Sequence, residues 1–332
     1  MMPATNPFQT IQHIAGGYCL SRCLHAVAEL GVADVLNDTP QTATQLASAV
    51  SASADALNRV LRLLSGYGIF ESHPNNTYAH SPASRLLRND HPQSLRGFVR
   101  MFGLPINWRM YEAFDAVIKT GEPAGHKIYT GGLWKYYTDH EAESQVFNAA
   151  MADKARGQIQ GIMASYDFSS FKHIGDIGGG RGHLLQAILQ AAPHAKGILF
   201  DLPHVVEEVR NIASDRLILQ PGNFFTDNLP ICDVYVVMEI IHDWANEEAT
   251  AILKAIRKAA PPQARLLLIE TIVPVEAGPD WSKLLDIHML TLLGGRQRTQ
   301  VEYKDLLTTA GFTFMQEINT GAGISILEAT VA

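Results

Sequence analysis

Between residues 173 and 189 the chain reads HIGDIGGGRGHLLQAIL: an apolar strand-like run, four glycines within five positions, then a helical face resumed by Leu184 and Leu185. A strand that passes into a helix through glycines opens a βαβ unit, because residues without side chains let the backbone turn tightly and let a ligand meet the helix start. The segments that follow keep the alternation. GILFDL, RLILQ, CDVYVVM and ARLLLIET are short apolar runs separated by stretches with helical periodicity. Strands alternating with helices predict an α/β fold built on a parallel sheet.

The spacing of the glycine loop is GxGxG from Gly178, with His183 where the dinucleotide fingerprint GxGxxG would place its third glycine. The next strand ends at Asp201, 25 residues after Asp176. A carboxylate there is placed to accept both hydroxyls of a ribose, or to act as a structural cap. Asn223 and Phe224 close a further strand, where an amide and a ring can bind adenine by hydrogen bonding and stacking. With Gly178 and Gly180 these residues describe a nucleoside pocket.

The run VVMEIIHDWANEEA sets His242, Asp243 and Trp244 directly behind an apolar strand. A histidine at a strand end is either a hydrogen-bonded structural residue or a functional group. Asp243 is a candidate cap for the helix that begins near Ala245, whose Glu247 and Glu248 suit a helix start. Trp244 either walls the adenosine pocket or packs.

Upstream, CLHAVAELGVADVL and ALNRVLRLLSGYGIF have helical apolar faces, the Ser/Thr/Ala-rich segment between them has cap and turn chemistry, and YGIFESHPNNTYAHS reads as a hairpin. Helices followed by a hairpin predict a winged helix over residues 1–100. Such modules often bind DNA, but this one holds seven arginines and no lysine against six carboxylates. That balance is too weak for a nucleic-acid footprint and favours a dimerisation surface. Residues 101–166 are aromatic-rich and helical, and the α/β domain occupies 167–332.

The chain has 332 residues, 47% hydrophobic and 18% charged, with a formal net charge of −7. That charge argues against bulk binding of nucleic acid or an anionic membrane. No long uncharged apolar window and no export-signal pattern is evident, so a cytoplasmic protein is expected. Cys19, Cys23 and Cys232 make neither a disulfide framework nor a CxxC pair, and no metal site is expected.

DIGGGRGHLL, LFDLPHVV, GNFF, IIHDW, Glu270 in LLLIETIVP, and DIHMLTLLGGRQRTQVEYKDLLTTAGF occur in order along nearly the whole chain. In this the chain resembles the S-adenosylmethionine-dependent small-molecule O-methyltransferases of the caffeate and hydroxyindole type, with their bacterial natural-product members. The resemblance implies a winged-helix dimerisation domain, a Rossmann-like methyltransferase domain, a homodimer, and transfer of a methyl group from S-adenosylmethionine to a hydroxyl of a small aromatic acceptor. It implies His242 as general base bracketed by Glu270, with Gln297 in the place of a second bracketing acid. It implies a cofactor set of Gly178, Gly180, Asp201, Leu202, Asn223, Phe224 and Trp244, and acceptor contacts from Phe147, Met151, His288, Met289 and Leu292.

Two positions depart from the family pattern: Asn223 stands where an aspartate is usual, and Gln297 where a glutamate is usual. The second leaves open a member of the same fold that binds the cofactor but runs a hydroxylation or decarboxylation. A winged-helix transcription regulator with a degenerate enzyme domain is the reading from another class.

Overall fold

The structure, a computed structural model, describes residues 6–332, so the first five positions of the expected N-terminal module lie outside the described residues. The chain divides into two units: the first runs up to Arg109 and adds Tyr137–Lys154, and the second comprises Met110–Tyr136 and Ala155–Ala332.

In the first unit, the helices Gly17–Leu30, Ala43–Ala49 and Ala54–Gly66 accompany a small antiparallel sheet of β1 (Gln41–Thr42), β2 (Phe70–His73) and β3 (Thr77–His80), in the order β1-β3-β2. The Ser/Thr-rich stretch supplies helix starts. Thr42 and Gln45 form a reciprocal capping box, and the Ser53 hydroxyl accepts from the Ala56 amide. The hairpin turns through the three residues Pro74, Asn75 and Asn76, with the two asparagines at φ 62° and 52°, left-handed geometry that asparagine tolerates. Leu46, Leu57, Leu61, Leu64, Phe70 and Tyr78 are buried together beneath it. Helices plus hairpin give the expected winged helix, and β1 is a short strand that the polar segment did not announce.

The second unit is built on a seven-stranded sheet in the order β6-β5-β4-β7-β8-β10-β9. Its strands are β4 (His173–Ile177), β5 (Lys196–Asp201), β6 (Leu217–Pro221), β7 (Val234–Met238), β8 (Arg265–Glu270), β9 (Phe312–Asn319) and β10 (Ser325–Val331). β4 to β8 are parallel, as the alternation predicts. The all-parallel expectation needs correcting at one edge, where β10 lies antiparallel to both β8 and β9. The reason is connection length: the few residues from 320 to 324 can close a hairpin but cannot span a crossover.

Both faces of the sheet are covered, which is why its central strands read as near-continuous apolar runs. Tyr235, Leu266 and Leu268 pack with Ile252, Ile256 and Leu307, while Val236, Leu267 and Ile269 pack with Leu185 and Ile188. β4 has β5 on one side and β7 on the other, so the chain reverses its direction of winding there. Such a switch opens a crevice beyond the carboxyl ends of the two strands. Among the described residues no helix is long and apolar enough to cross a membrane.

Candidate active site

The glycine loop, Asp201, Asn223, His242 and Glu270 lie at or beyond the carboxyl ends of β4 to β8. The loop after β4 takes left-handed backbone at Gly178, Gly180 and Gly182, with φ of 70°, 56° and 69°. Two of its glycines are required for different reasons. A Cβ at Gly179 would sit 2.5 Å from the Asp176 carboxyl carbon and 2.4 Å from Leu199, so only glycine fits between them. Above Gly180 nothing lies within 4 Å, so its conformation demands glycine and its face is open for close approach.

Asp201 ends β5 and braces this loop. Its Oδ2 accepts from the Gly180 amide at 2.8 Å and its Oδ1 from the Leu202 amide at 2.7 Å. An ionised carboxylate has about four lone-pair sites, so acceptor capacity remains on both oxygens. Burial pushes the Asp201 carboxyl up, and the two amides act against that. Asp176 behind it is buried, and desolvation with the nearby Asp201 charge pushes it up to about 7. Its Oδ2 has no hydrogen-bond partner among the described residues.

After β6, Asn223 forms an Asx turn, its Oδ1 accepting from the Phe225 amide at 2.9 Å. This turn presents Phe224 and Phe225 together, their rings 4.8 Å apart, with Trp244 edge-on to both at 5.9 and 4.8 Å. The structure thus joins Asn223, Phe224 and Trp244 of the expected set, and adds Phe225, which the sequence showed only as the second of two adjacent phenylalanines.

β7 leads through Glu239 into a 3-10 turn, Ile241–Asp243, that carries His242. The Glu270 carboxylate, at the end of β8 and fully buried, accepts from the Ile241 amide at 2.8 Å and meets His242 Nδ1 at 2.9 Å. Asp243 Oδ1 lies 3.3 Å from His242 Nε2. Asp243 is therefore not a helix cap: Ala245 occupies the N-cap of Asn246–Ala259, with no side-chain hydrogen bond. Burial lowers the His242 pKa, but the carboxylates of Glu270 and Asp243 outweigh it and hold the imidazole well above its ordinary value near 6.5. The sign for stability follows: these pairs stabilise the fold below about 6.5, and the contribution is lost as pH rises through the raised folded value.

Arg298 anchors the turn from behind, a role the sequence did not reveal. It is fully buried, and its guanidinium donates to the Ile241 carbonyl at 3.1 Å, the Trp244 carbonyl at 2.9 Å and Asn246 Oδ1. The Arg296 amide donates to the His242 carbonyl at 2.8 Å, and a Cβ on Gly295 would come within 2.2 Å of that same oxygen. Between these arginines, Gln297 is buried, its backbone amide donating to Asp286 Oδ1 at 2.9 Å, and neither heteroatom of its side-chain amide has a partner among the described residues.

The helix Trp281–Leu292 carries buried His288, Met289 and Leu292 in this second unit. His288 stacks near Tyr111, and burial lowers it to about 4, leaving a neutral ring at pH 7. Phe147 and Met151 belong to the first unit, on the helix Glu141–Ser165, where Phe147 stacks on Tyr137 at 4.6 Å.

Comparison with known proteins gives the family. An O-methyltransferase domain model matches residues 111–313, and an O-methyltransferase dimerisation domain model matches residues 12–90. The chain is similar to the phenazine O-methyltransferase of Lysobacter antibioticus, at 36% identity over 94% of this chain and 93% of that one. It is 32% identical to the mitomycin biosynthesis 6-O-methyltransferase of Streptomyces lavendulae, over 95% and 92% of the two chains. An O-methyltransferase from neocarzinostatin biosynthesis, solved with S-adenosylmethionine and 2-hydroxy-5-methyl naphthoic acid, superposes with a TM-score of 0.78 at 29% identity, covering 94% of this chain and 96% of that one. A glycine loop, a carboxylate at the end of β5 and a histidine–carboxylate pair beyond β7 and β8 thus sit in a chain that belongs to the S-adenosylmethionine-dependent O-methyltransferases, with the dimerisation domain of that family at its N-terminal end.

Proposed function

We propose that this enzyme methylates a hydroxyl of a small aromatic natural product, with His242 as general base. The observation that carries this reading is the buried His242–Glu270 pair at 2.9 Å. Glu270 accepting the Nδ1 proton leaves Nε2 as the nitrogen that takes up a proton from the acceptor. The named relatives are a phenazine O-methyltransferase and an O-methyltransferase of mitomycin biosynthesis, and the structural neighbour holds a hydroxynaphthoic acid, which supports an aromatic acceptor.

The residues present fit S-adenosylmethionine. Gly178 supplies a left-handed turn against Ile240 and Gly180 an open backbone face, Asp201 has acceptor capacity for two ribose hydroxyls, Leu202 flanks it, and Asn223 with Phe224 and Trp244 offers an amide and aromatic faces for adenine. When bound, that cofactor supplies an electrophilic methyl group. His288, Met289 and Leu292 would orient the acceptor and exclude water from the reacting oxygen. Domain roles follow the same reading: residues 1–100 for dimerisation, 101–166 for linking and acceptor binding, 167–332 for catalysis.

The raised His242 pKa has a kinetic signature. An imidazolium cannot accept a proton, so the rate on a phenol, whose own pKa is about 10, should climb with pH over a range that lies above 6.5. Incubating the protein with S-adenosylmethionine and a panel of phenols, and following singly methylated products from pH 6 to 9 by mass spectrometry, tests both activity and profile. Oxidised or decarboxylated products instead would sink the methyl-transfer reading, and a flat profile would remove the general base.

The reading extends to a homodimer. Phe8, Ile11 and Ile14 recur along one face of the helix Pro7–Ala15 and, with Tyr18, are 62–77% exposed. An apolar stripe of this kind is costly in water and marks an interface. Light scattering should return twice the chain mass, and a fully active monomer at low concentration would overturn this.

A further inference from the structure

Anchoring explains the hydrogen bonds of Arg298 and leaves its charge unexplained. The guanidinium donates to the carbonyls of Ile241, Trp244 and Arg296 and to Asn246 Oδ1, all neutral acceptors, at 2.9 to 3.1 Å. Among the described residues it meets no carboxylate directly, although it is fully buried. A buried cation with no counter-charge nearby is costly, and a neutral donor would anchor a turn at less expense.

The counter-charge lies one residue away. Ile241 gives its amide to Glu270 Oε1 at 2.8 Å, and its carbonyl accepts from Arg298 Nη1 at 3.1 Å. Two fully buried ions of opposite sign thus face each other across a single residue, roughly 9 Å apart or less. The other oxygen of Glu270 meets His242 Nδ1 at 2.9 Å, so imidazole and guanidinium share one carboxylate. Of the remaining charged and titratable groups around the histidine, Asp243 stands 3.3 Å from Nε2 and Arg296 is exposed to solvent. Tyr303 is fully buried with its ring centre 5.9 Å from Arg298 Cζ, and burial together with the Glu270 charge keeps its hydroxyl protonated.

With a neutral imidazole, Glu270, Asp243 and Arg298 together leave a single negative charge. Without Arg298 there would be two, and an imidazolium would be the one cation in contact with them. A base held in that protonated form takes no further proton. We infer that Arg298 is a positioning residue for the proposed base: by offsetting Glu270 across Ile241, it lets His242 become neutral, and Nε2 accept a proton, at a lower pH than the two carboxylates alone would allow. The inference rests on the general-base reading of His242.

The rise of rate with pH on a phenol, compared between the parent and three variants of the whole protein, tests this. Arg298→Gln keeps donors without the charge and should move the midpoint of the rise upward by about one pH unit, the size expected for one buried charge at such a distance. Arg298→Lys keeps the charge and loses the forked contacts, so its plateau should fall while its midpoint stays at the parent's. Asn246→Asp keeps the arginine and both hydrogen bonds to that side chain, and sets a carboxylate against the guanidinium at an exposed position. It should move the midpoint upward by a smaller amount, and it decides the matter where Arg298→Gln does not fold. A residue that only anchored the turn would lower plateaus and move no midpoint. An Arg298→Gln midpoint at or below the parent's, an Arg298→Lys midpoint displaced as far as the glutamine one, or an Asn246→Asp midpoint that stays in place would each overturn the inference. A parent whose rate does not change with pH would instead overturn the base reading on which it rests.

Discussion

Replacing His242 by alanine should slow methylation of a phenol of ordinary acidity by about 10²- to 10⁴-fold, the range that general-base catalysis supplies. His242 lies 2.9 Å from Glu270 and 3.3 Å from Asp243, so the variant removes the proton acceptor and leaves two carboxylates beside the vacated position. An acceptor already ionised at the assay pH has no proton to lose, and its rate should fall far less. The discriminating experiment is therefore a series of acceptors of graded pKa, compared between parent and variant. An equal loss for every acceptor would show that His242 orients the substrate and takes no proton. Gln297→Glu belongs in the same series: a further carboxylate, added to Glu270 and Asp243, would favour the imidazolium more strongly. Its effect should be a selective gain on the least acidic acceptors, and a uniform change across the series would count against that account.

Asp201→Ala should weaken S-adenosylhomocysteine by about 10²- to 10⁴-fold. Two hydrogen bonds to a charged group, each worth about 1.5 to 3 kcal/mol, would be lost with the ribose hydroxyls. The same carboxylate ties the amides of Gly180 and Leu202 at 2.8 and 2.7 Å, so the alanine variant also releases the loop. Asp201→Asn keeps one acceptor oxygen and should fall between parent and alanine. Unchanged affinity in Asp201→Ala, measured by calorimetry, would remove the nucleoside assignment from this end of the sheet.

What was legible in the sequence was what is local. A glycine loop between a strand and a helix, the carboxylate ending the next strand and a histidine behind an apolar run each occupy a handful of consecutive residues, and the parallel sheet follows from their alternation. The β9–β10 edge was not read, because β9 is only partly buried and the turn, TGAGI, lacks the asparagine–glycine pair that marks a tight hairpin. Asp243 was open as a cap because its sequence position suits one, and only the folded turn shows the carboxylate on His242 Nε2. Arg298 was hidden for a different reason. A charged residue is ordinarily solvated, and its carbonyl partners at Ile241 and Trp244 lie more than fifty positions upstream.

The anchoring of the histidine turn by Arg298 and Arg296 divides the enzyme's chemistry along its length. The groups proposed for the methyl donor come from β4 to β7 and the turns after them, residues 176–244, and their mutual hydrogen bonds are made within that stretch. The proposed base, His242, acquires its setting from the adjacent Asp243, from Glu270 and from the segment 295–298. Substitutions in the last quarter of the chain can therefore retune which oxygen is activated, and how strongly, while the donor half is inherited intact. A lineage built this way can diversify its acceptors by rewriting one short segment.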